Sequence, residues 1–496
     1  MQYILAHDLG TSGDKATLFT VEGELFDRRV CSYPCFYSDN TRAEQNPEDW
    51  YAAVCKSTRA LCEQIDPADI VGISFSGQMM GAVFLDDEGL PMRPTIIWAD
   101  QRATLEQKQL AERLGDDRFY AITGNRNNPT NSIAKIMWAL ANGIPKERLY
   151  TVLNCKDYIV YRLTGNLGTD YSDASGTGAF DLNAFAWSEE ILQAAGIPIR
   201  VMPNLQASTE LAGKISQRAA AETGLLPGTP VFRGCGDGTA ASVGAGIGLG
   251  EGYICLGTSA WISYMDEQPL LDPLQRVFNL AGIEKNSIYP IGTMQASGSS
   301  FDWMVEQLCQ PERDAATSKR EVYDLVYAQI ESSPVGSNGV IFLPYLMGER
   351  SPWWDSSIKG AFLGLGQETR RNDMLRAVVE GVSFNLALIL DIFRQHRDFS
   401  SLRIIGGGAQ NSIWRQILSN ILNVRIQKPN LLEEGCSLGA AIVAGIGAGV
   451  FKDASAIHSF LKIESDNIPA TAVAQQYSPL LGKFAEAYHR LQGFYC

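Results

Sequence analysis

The tetrapeptide LGTS occurs twice in this chain of 496 residues, at residues 9–12 and again at residues 256–259. Each copy follows an apolar run that predicts a strand, and an alternating apolar stretch after it predicts a returning strand. Both segments are therefore predicted to form hairpins with a Gly/Thr/Ser tip. Such a tip offers backbone N–H groups and two hydroxyl donors, which suit the oxygens of a phosphate group. Two tips half a chain apart predict two halves that close on one polyphosphate.

The bulk composition restricts the class of protein. The length fits two large domains rather than a single core. The formal net charge of −14 argues against nonspecific binding to nucleic acid or to an anionic membrane surface. The N-terminus MQYILAHDLG lacks the basic and long apolar regions of a signal peptide, and no run approaches the roughly 20 apolar residues of a membrane span. We expect a cytoplasmic protein without a nucleic-acid or membrane partner.

The cysteine and histidine usage gives no pattern of a zinc site. Ten cysteines are scattered without CxxC spacing, and only four histidines are available to complete a zinc site. We expect reduced thiols, as in most proteins of a reducing compartment. The sequence is compatible with a homodimer but leaves the oligomeric state open.

Strand-like and helix-like segments alternate along the chain, which predicts an α/β fold with a largely parallel sheet. In the first half, the predicted elements are strands at residues 3–8, 16–21 and 30–36, a helix at 47–63 after the N-cap Asn46, and a strand at 69–75 followed by a turn at 76–78. After the Gly-rich stretch 244–250 the pattern restarts, with helices near residues 300–310, 373–393 and 411–420 and strands at 339–343 and 402–405. The predicted domains are residues 1–245 and 246–496.

The two hairpins differ in the residue that precedes the LGTS tetrapeptide. Asp8 stands there in the first copy, whereas Cys255 occupies the matching position in the second. A carboxylate at the end of a strand, beside a phosphate-binding turn, is suited to hold Mg²⁺ directly or through water. Lys15 on the returning strand is predicted to neutralise phosphate charge. The alternative is that Asp8 only caps a tight turn.

A second carboxylate lies in the sequence GCGDGT at residues 234–239, between a strand-like run and a helix start rich in small residues. Asp237 is thus predicted at the carboxyl end of a strand, where α/β sheets bind their ligands. In phosphoryl transfer such a carboxylate can accept the proton of an attacking hydroxyl. The alternative is an Asx-turn or helix N-cap. Cys235 is a weak candidate nucleophile because no histidine is near it in sequence.

Other segments give weaker signals. The sequence GGGA at residues 406–409 lies between a predicted strand and a helix, where the backbone can lie flat against a planar base or simply form a tight turn. The chain lacks GxxxxGK[ST], and the stretch 244–250 does not follow GxGxxG, so neither a P-loop nor a simple dinucleotide fold is supported. The loop 339–352 is expected to be a solvated or structurally paired surface loop. His7 is expected to be a packed strand residue, on the sheet face opposite to Asp8.

The most specific motif is the sequence of residues 360–381, where GAFLGL, DML and AVVEG resemble the C-terminal signature of the FGGY carbohydrate kinases. The N-terminal signature of that family is matched in part by Ser132, Lys135 and Trp138. DLGTSG, GCGDG, LGTS and GGGA also occur in the expected order, so the resemblance covers nearly the whole chain. It implies two RNase H-like domains of the actin-like ATPase superfamily, with an ATP and sugar cleft between them, and Mg-ATP-dependent phosphorylation of a sugar hydroxyl.

The resemblance also implies roles for individual residues. Asp237 resembles the general base, and Asp8 resembles the Mg²⁺-associated carboxylate. The residues that resemble the phosphate cradle are Thr11, Ser12, Gly257 and Thr258. The residues that resemble adenosine contacts are Gly298, Gly408 and Asn411.

Within the family the chain is most similar to xylulokinases, at residues 43–47, 76–79, 98–102, 342–345 and 348–350. The residues implied to contact the sugar, besides Asp237, are Gln78, Met79, Met80, Trp98 and Asp100. Two positions depart from the pattern: xylulokinases typically carry Gln-Met-His-Gly where this chain has Met80 as the third residue, and Asn where this chain has Gly238. Losing an imidazole and an amide removes hydrogen-bond partners of substrate hydroxyls, which can shift specificity by orders of magnitude.

The hypothesis from sequence is therefore an ATP-dependent kinase of a ketopentose such as xylulose, or of a related ketose or polyol. One alternative is an actin-like ATPase that acts as a filament or switch without a sugar substrate, since it shares the paired phosphate hairpins. Another is a sugar-binding regulator that has lost catalysis, which the presence of both Asp8 and Asp237 disfavours.

Overall fold

A computed structural model describes residues 1–39, 41–431 and 434–495 of the chain. Within these residues the protein has two lobes, and each is built on a mixed sheet of seven strands with helices packed against it. Both sheets follow one plan, in which antiparallel neighbours form one side, parallel strands follow, and the edge strand beyond them pairs antiparallel again. No helix in the described part of the chain is long and apolar enough to cross a membrane.

The first lobe is organised around the hairpin of Tyr3–Leu9 and Gly13–Thr20. Tyr3–Leu9 pairs antiparallel with Gly13–Thr20 on one side and parallel with Ile70–Gly77 on the other. In spatial order the strands are Leu211–Lys214, Pro230–Phe232, Ile70–Gly77, Tyr3–Leu9, Gly13–Thr20 and Leu25–Ser32, and Cys235–Gly236 also pairs with Ile70–Gly77. The helices of this lobe are Pro47–Cys62, Thr104–Leu114, Asp116–Thr123, Ser132–Ala141, Cys155–Thr164, Tyr171–Gly176, Glu189–Ala195, Gln217–Thr223 and Asp237–Gly244.

The second lobe repeats this plan around the hairpin of Gly252–Leu256 and Ala260–Tyr264. In spatial order the strands are Phe278–Ala281, Ile288–Met294, Ala260–Tyr264, Gly252–Leu256, Ser401–Ile405, Arg425–Pro429 and Ile463–Asn467. The helices are Gly298–Leu308, Gln310–Ala315, Lys319–Ser332, Arg371–Arg394, Ser412–Leu422, Gly435–Gly447, Ile457–Phe460 and Thr471–Leu491.

The other strands form short ribbons outside the two sheets. They are Phe36–Ser38 with Arg42–Gln45 and Thr95–Ile96, Val83–Leu85 with Thr151–Leu153, Thr169–Asp170 with Leu205–Gln206, Phe180–Asp181 with Ala186–Trp187, and Ile341–Leu343 with Ala361–Leu363. Thr95–Ile96 stands two residues before Trp98, which sequence similarity implied for the sugar, and it pairs with Arg42–Gln45.

Two helices, one from each lobe, pack against each other at the lobe interface. A Cβ on Gly244 would lie 1.8 Å from Gly435 O, and a Cβ on Gly439 would lie 2.1 Å from Ala240 O. The helices Asp237–Gly244 and Gly435–Gly447 can approach this closely only because glycine stands at these contacts. A shared apolar core, which includes Ile4, Phe19, Phe232, Leu438 and Ile442, continues from the first sheet across this contact.

The two predicted hairpins are confirmed, since Asp8 pairs with Lys15 in the first and Leu256 with Ala260 in the second. The prediction of largely parallel sheets is wrong, because the structure has mixed sheets. The short turns after the first strand of each lobe allow only antiparallel pairing, since parallel neighbours need a crossover of a dozen or more residues. The alternation of strands and helices indicates the parallel crossover connections. It does not indicate how many strands of each sheet pair antiparallel.

Most helix predictions agree with the structure within a few residues. The helix predicted at 47–63 is Pro47–Cys62, and the Asn46 side chain accepts from Glu48 N as an N-cap. The helix predicted at 373–393 is Arg371–Arg394. Two strand predictions are wrong in their bounds. Residues 30–36 belong to two strands, Leu25–Ser32 and Phe36–Ser38, and the turn expected at 76–78 starts later because Ile70–Gly77 is still paired there.

Candidate functional site

The carboxyl ends of three parallel strands meet at one edge of the first sheet. Asp8 lies opposite Ser76 in the strand pairing, and Ser76 lies opposite Cys235. Asp237 follows two residues later, as the first residue of the helix Asp237–Gly244. This edge is where α/β folds bind their ligands. Strand register therefore brings together the two carboxylates that the sequence singled out, although they are far apart along the chain.

The Asp237 carboxylate has no cationic partner. Its Oδ1 accepts a hydrogen bond from Gly238 N at 2.8 Å, and no lysine or arginine in the described ranges forms an ion pair with it. Burial, reinforced by the negative charge of Asp8, raises the pKa of Asp237 to about 7. A carboxyl group with this pKa exchanges its proton near neutral pH, as a general base requires.

Asp8 has a cation and a hydroxyl beside it. Ser76 Oγ donates to Asp8 Oδ1 at 2.9 Å, and Lys15 Nζ lies 3.7 Å from Asp8 Oδ2. Burial raises the pKa of Asp8, while Lys15 and Ser76 oppose this shift. The side chains of Asp8 and Lys15 remain 20% and 23% exposed, so a ligand can reach both.

The tip of the first hairpin is tied to a polar network. Trp98 Nε1 donates to Thr11 Oγ1 at 2.9 Å, and Gln45 Nε2 donates to Thr11 O at 2.7 Å. Gln78 Nε2 in turn donates to Gln45 Oε1 at 2.8 Å. Ser12 is exposed beside this network. The structure thus joins Thr11, a predicted phosphate-binding residue, directly to Trp98 and, through Gln45 of the xylulokinase-like segment 43–47, to Gln78.

Gln78 is largely buried, with 3% of its surface exposed. Its Oε1 accepts no hydrogen bond from the described residues. A buried acceptor without a donor costs free energy, about 1–3 kcal/mol in mutational data. A ligand hydroxyl is a donor of the kind that this oxygen lacks.

The tip of the second hairpin is enclosed by glycines. Gly298 N donates to Gly257 O at 2.9 Å, and a Cβ on Gly298 would lie 2.5 Å from that same oxygen. A Cβ on Gly408 would lie 2.8 Å from Leu256 Cγ. Thr258 is exposed at the tip. The structure therefore brings four predicted residues, from three separate segments, to one place.

Two predicted ligand contacts have other partners in the structure. Asp100 is fully buried, and its carboxylate accepts from Arg102 Nη2 at 2.6 Å and from Ala43 N at 2.7 Å. Because Asp100 is fully buried, it has no surface for a direct contact with a sugar. Its carboxylate instead binds Arg102 and the neighbouring strand. Asn411 Oδ1 caps the helix Ser412–Leu422 by accepting from Ile413 N at 2.8 Å.

Met79 and Met80 connect the predicted sugar side of the site to Asp237. Met79 is 4% exposed and packs against Gly236, where a Cβ would lie 2.6 Å from Met79 Cγ and Sδ. Met80 has a positive φ of 58°, which is unfavourable for a side chain of this size. Lys135 Nζ donates to Met80 O at 2.7 Å and to Thr130 O at 2.6 Å, so it holds this unusual peptide in place.

The residues of the partial N-terminal signature all act on this region. Ser132 Oγ donates to Gly81 O at 2.8 Å, next to the peptide that Lys135 holds. The guanidinium groups of Arg93 and Arg102 each lie over the ring of Trp138, at 4.8 Å and 4.9 Å from its centroid. Burial lowers the pKa of Lys135 to about 7, despite the opposing charge of Asp100.

Three further residues near Asp237 escaped sequence reasoning. Ser172 Oγ donates to Asp170 Oδ2 and accepts from Gly236 N at 2.8 Å. Gly236 stands directly before Asp237. Cys436 Sγ donates to Asp237 O at 3.7 Å from the second lobe. Leu280 Cδ1 lies 2.8 Å from where a Cβ on Gly238 would be. None of these contacts is local in sequence. The one sequence signal for them is the run of small residues in the helix Gly435–Gly447, which contains Cys436.

The loop at residues 339–352, expected to be a solvated or structurally paired surface loop, is structurally paired but largely buried rather than on the surface. Glu349 is only 4% exposed, and it accepts from Gln295 N at 2.8 Å and from Arg350 N at 2.7 Å. Burial raises the pKa of Glu349 to about 8, against the lowering effect of these two donors. The main chain of the loop is hydrogen-bonded to the second sheet. Ser351 N donates to Thr293 O, in the strand Ile288–Met294, at 2.8 Å.

His7 is confirmed as a packed strand residue. It is 1% exposed, lies 3.1 Å from Asp14, and stacks on Phe75 at 5.1 Å between ring centroids. The nine cysteines in the described ranges are free thiols. No cluster of three or more metal-ligating side chains occurs among the residues that the structure describes.

The chain matches two family descriptions that together span most of its length. Residues 3–244 match "FGGY family of carbohydrate kinases, N-terminal domain", and residues 252–448 match the C-terminal domain of the same family. A xylulose kinase of Bacillus subtilis is 32% identical over 495 residues, which cover 98% of this chain and 97% of the relative. A gluconokinase of Bacillus subtilis is 30% identical over 500 residues, which cover 99% and 97%.

The fold is also that of solved sugar kinases. The crystal structure of a ligand-bound xylulose kinase from Lactobacillus acidophilus superposes with a TM-score of 0.93, at 27% sequence identity, over 100% of this chain and 99% of that one. The two-lobed architecture is therefore the actin-like ATPase fold, and the actin-like filament alternative does not hold, because the relatives are sugar kinases. The chain belongs to the FGGY family of carbohydrate kinases, and it is an ATP-dependent sugar phosphotransferase.

Proposed function

We propose that this kinase phosphorylates a ketopentose such as xylulose, or a related ketose or polyol, with Asp237 as the general base. The observation that carries the proposal is the Asp237 carboxylate, which stands uncompensated at the carboxyl ends of the strands and has a pKa of about 7. At neutral pH such a group is partly ionised and yet more basic than an ordinary aspartate, whose pKa is about 3.9.

The transfer step needs a proton acceptor at this position. As the sugar hydroxyl oxygen attacks the γ-phosphorus of ATP, a new O–P bond forms and the bond to the β,γ-bridging oxygen breaks, which releases ADP. The hydroxyl proton passes to the Asp237 carboxylate. Asp8, whose charge contributes to the raised pKa of Asp237, thereby makes this carboxylate a stronger base.

Asp8 is our candidate for holding Mg²⁺ together with ATP. Its two oxygens have only Ser76 and the more distant Lys15 as partners in the described structure, and it remains partly exposed. Mg²⁺ is usually bound by one or two carboxylates, with phosphates and water completing its ligands, so a lone carboxylate beside a phosphate site fits this ion. The ion would supply neutralisation of the charge that develops on the phosphates.

The two hairpin tips are proposed to bind the phosphates of ATP. Thr11, Ser12 and Lys15 would act from the first lobe, and Gly257 and Thr258 from the second. Gly298 and Gly408 pack against the second tip, so the adenosine is expected on that side. Asn411 is proposed to shape this side through its helix cap, because its Oδ1 is already engaged.

The sugar is proposed to bind between Trp98, Gln78 and the Met79–Met80 pair, with Asp100 as a positioning residue behind them. Gln78 Oε1 supports this placement because it lacks a donor. The relatives named xylulose kinase and gluconokinase are similarly distant, so the substrate needs a direct test. The cytoplasmic location and the homodimer stay predictions.

The test is a coupled ADP-release assay with ketopentoses, ketohexoses, tetritols, gluconate and glycerol. We expect the highest kcat/KM with a ketose or polyol of four to six carbons, with product confirmed by mass spectrometry. Turnover on glycerol alone, or on gluconate alone, would contradict the proposed substrate class without touching the proposed role of Asp237.

A further inference from the structure

The helix that begins with Asp237 is bonded to the second lobe through its second turn. Ser242, one turn beyond Gly238, is fully buried, and its Oγ donates to Gly238 O at 2.9 Å within the helix. The same Oγ lies 3.0 Å from the hydroxyl of Tyr253, which belongs to the first strand of the second hairpin. This contact joins the two lobes next to the proposed base.

One arrangement of the protons satisfies every donor in this contact. Trp261 Nε1 has a proton and no lone pair, so it donates to the Tyr253 hydroxyl, at 2.8 Å. The single proton of Ser242 is used toward the carbonyl of Gly238, which can only accept. In this arrangement the Tyr253 hydroxyl donates to Ser242 Oγ. A one-way chain of donors runs from Trp261 through Tyr253 and Ser242 to Gly238 O.

The chain starts directly below the second phosphate tip. Tyr253 and Trp261 stand on the two strands that lead into and out of residues 256–259, and Trp261 pairs with Cys255 in the strand register. Tyr253 is fully buried in a cluster that also contains Met79 and Leu280, the two side chains next to Gly236 and Gly238. The connection from the second tip to the first turn of the catalytic helix thus runs from the half-buried Trp261 through the fully buried Tyr253 and Ser242.

A buried chain of this kind is costly to interrupt. Hydrogen bonds in a low-dielectric interior polarise one another, and loss of one member leaves its neighbours without a partner. A second tether, Thr239 Oγ1 donating to Ala281 O at 2.9 Å, also holds the helix to the second lobe. That tether ends at the strand Phe278–Ala281 and does not reach the phosphate tip.

We propose that Trp261, Tyr253 and Ser242 are positioning residues that hold Asp237 in register with the second phosphate hairpin. The inference rests on the proposed role of Asp237 as the base. Because the attacking hydroxyl is placed by Asp237 and the γ-phosphate by the hairpins, a change in their relative position lowers the rate of transfer without removing a contact to either substrate. Misplacement by about 1 Å can cost as much as 100-fold in rate.

The experiment compares Tyr253→Phe, Ser242→Ala and the double variant with the wild-type enzyme, using the sugar found in the substrate screen. We expect each single variant to lower kcat by roughly 10-fold to 100-fold, with both KM values changed less than about twofold, since uniform binding is untouched. We expect the double variant to be no slower than the slower single variant. Either substitution already interrupts the hydrogen-bond chain, so the second removes nothing more.

The matched control is Tyr289→Phe. Tyr289 is buried in the same cluster, and its hydroxyl has no hydrogen bond to any residue in the described ranges. Its loss should leave kcat within about twofold of wild type, as for a substitution without a lost partner. Thermal unfolding of each variant separates a positioning effect from global destabilisation. If Tyr253→Phe does not fold, Ser242→Ala carries the test, since alanine suits a buried helix position.

Wild-type kcat in both Tyr253→Phe and Ser242→Ala, or losses that multiply in the double variant, would overturn the inference. The proposed function fails separately, if Asp237→Asn retains normal sugar-dependent turnover. If Asp237→Asn is inactive while Tyr253→Phe keeps the kcat of the control Tyr289→Phe, only the positioning role of the hydrogen-bond chain is contradicted. The proposed role of Asp237 then stands.

Discussion

The two LGTS hairpins have the same tip and the same antiparallel pairing, but their surroundings differ in charge. Beside the first tip stand Asp8, Lys15 and the hydroxyl of Ser76. Beside the second stand Cys255 and the glycines at 298 and 408, and burial raises the pKa of Cys255 to about 12, so this thiol stays neutral. The same turn is thus placed in a charged setting in one lobe and in a neutral, tightly packed one in the other.

This difference suggests a division of labour on one nucleotide. The first hairpin is suited to the metal and to charge neutralisation, whereas the second offers backbone donors and close packing for the remainder of ATP. Asp237 stands between them, on a helix that is bonded to the second hairpin and whose carboxylate senses the charge of the first. Each of the following predictions tests one side of the comparison.

The largest effect is expected for Asp237→Asn, which removes the only proton acceptor that we propose. Sugar-dependent ADP release should fall by about 10²- to 10⁴-fold, the usual contribution of general acid–base catalysis. Asp87→Asn, at an exposed loop position, is the matched control and should keep wild-type turnover. Near-normal turnover of Asp237→Asn would refute its role as the base.

The same variant has a stability signature. The folded pKa of Asp237 is about 7, above the unfolded value of about 4. Between these values the folded state holds a proton that the unfolded state releases, so the stability contributed by this group falls as pH rises toward 7. The difference in Tm between Asp237→Asn and wild type, in favour of the variant, should therefore be larger at pH 8 than at pH 5. An unchanged difference would contradict the raised pKa.

The next effect separates the two hairpins directly. Asp8→Asn should lower kcat/KM for Mg-ATP by about 10-fold or more, as for a lost metal-associated group, whereas Cys255→Ser at the matching position should change it less than about twofold. A readout that does not need turnover is the thermal stabilisation by ATP with and without Mg²⁺. We expect its Mg²⁺-dependent part to disappear in Asp8→Asn only. Equal effects of both variants would remove the asymmetry.

The pH dependence of the wild-type rate should reflect Asp237. Since the base must be ionised, and its pKa in the ligand-free protein is about 7, kcat/KM for the sugar should fall about 10-fold between pH 8 and pH 6. The measurement is a pH profile of kcat/KM at sugar concentrations well below KM, with stability checked at each pH. A kcat/KM that is flat between pH 5 and pH 8 would contradict this assignment of the proton acceptor.

The smallest effect concerns packing at the second tip. In Gly298→Ala the new Cβ would meet Gly257 O at 2.5 Å, so the tip must move. We expect KM for ATP to rise about fivefold or more, which corresponds to ~1 kcal/mol, the lower end of overpacking costs. Gly407→Ala, where nothing lies within 4 Å of the added carbon, is the control and should behave as wild type. Equal KM values in the two variants would show that the second tip does not bind ATP tightly.

Much of the fold was readable from local pattern. The helix at Pro47–Cys62 starts where Asn46 and the following proline predict, and both hairpins form where apolar alternation surrounds the Gly/Thr/Ser turn. The mixed character of the sheets was missed because strand direction depends on connection length rather than on residue pattern. The motifs predicted where the candidate site lies. They did not predict that the carboxylates of Asp100 and Glu349 are buried and hydrogen-bonded within the protein. Whether a charged side chain faces a ligand or is buried against the chain depends on distant partners.

The sequence by itself determined the two phosphate-type turns, the position of both carboxylates at strand ends, and the family signature, because each depends on residues that are near one another in the chain. Only the tertiary structure decided that Asp8 and Asp237 lie at the same edge of the first sheet, that the pKa of Asp237 rises to about 7, and that Ser242, Tyr253 and Trp261 link the lobes. The physical reason is that burial, charge proximity and hydrogen-bond direction belong to pairs of groups brought together across two sheets and two lobes. No local pattern records the distances between them.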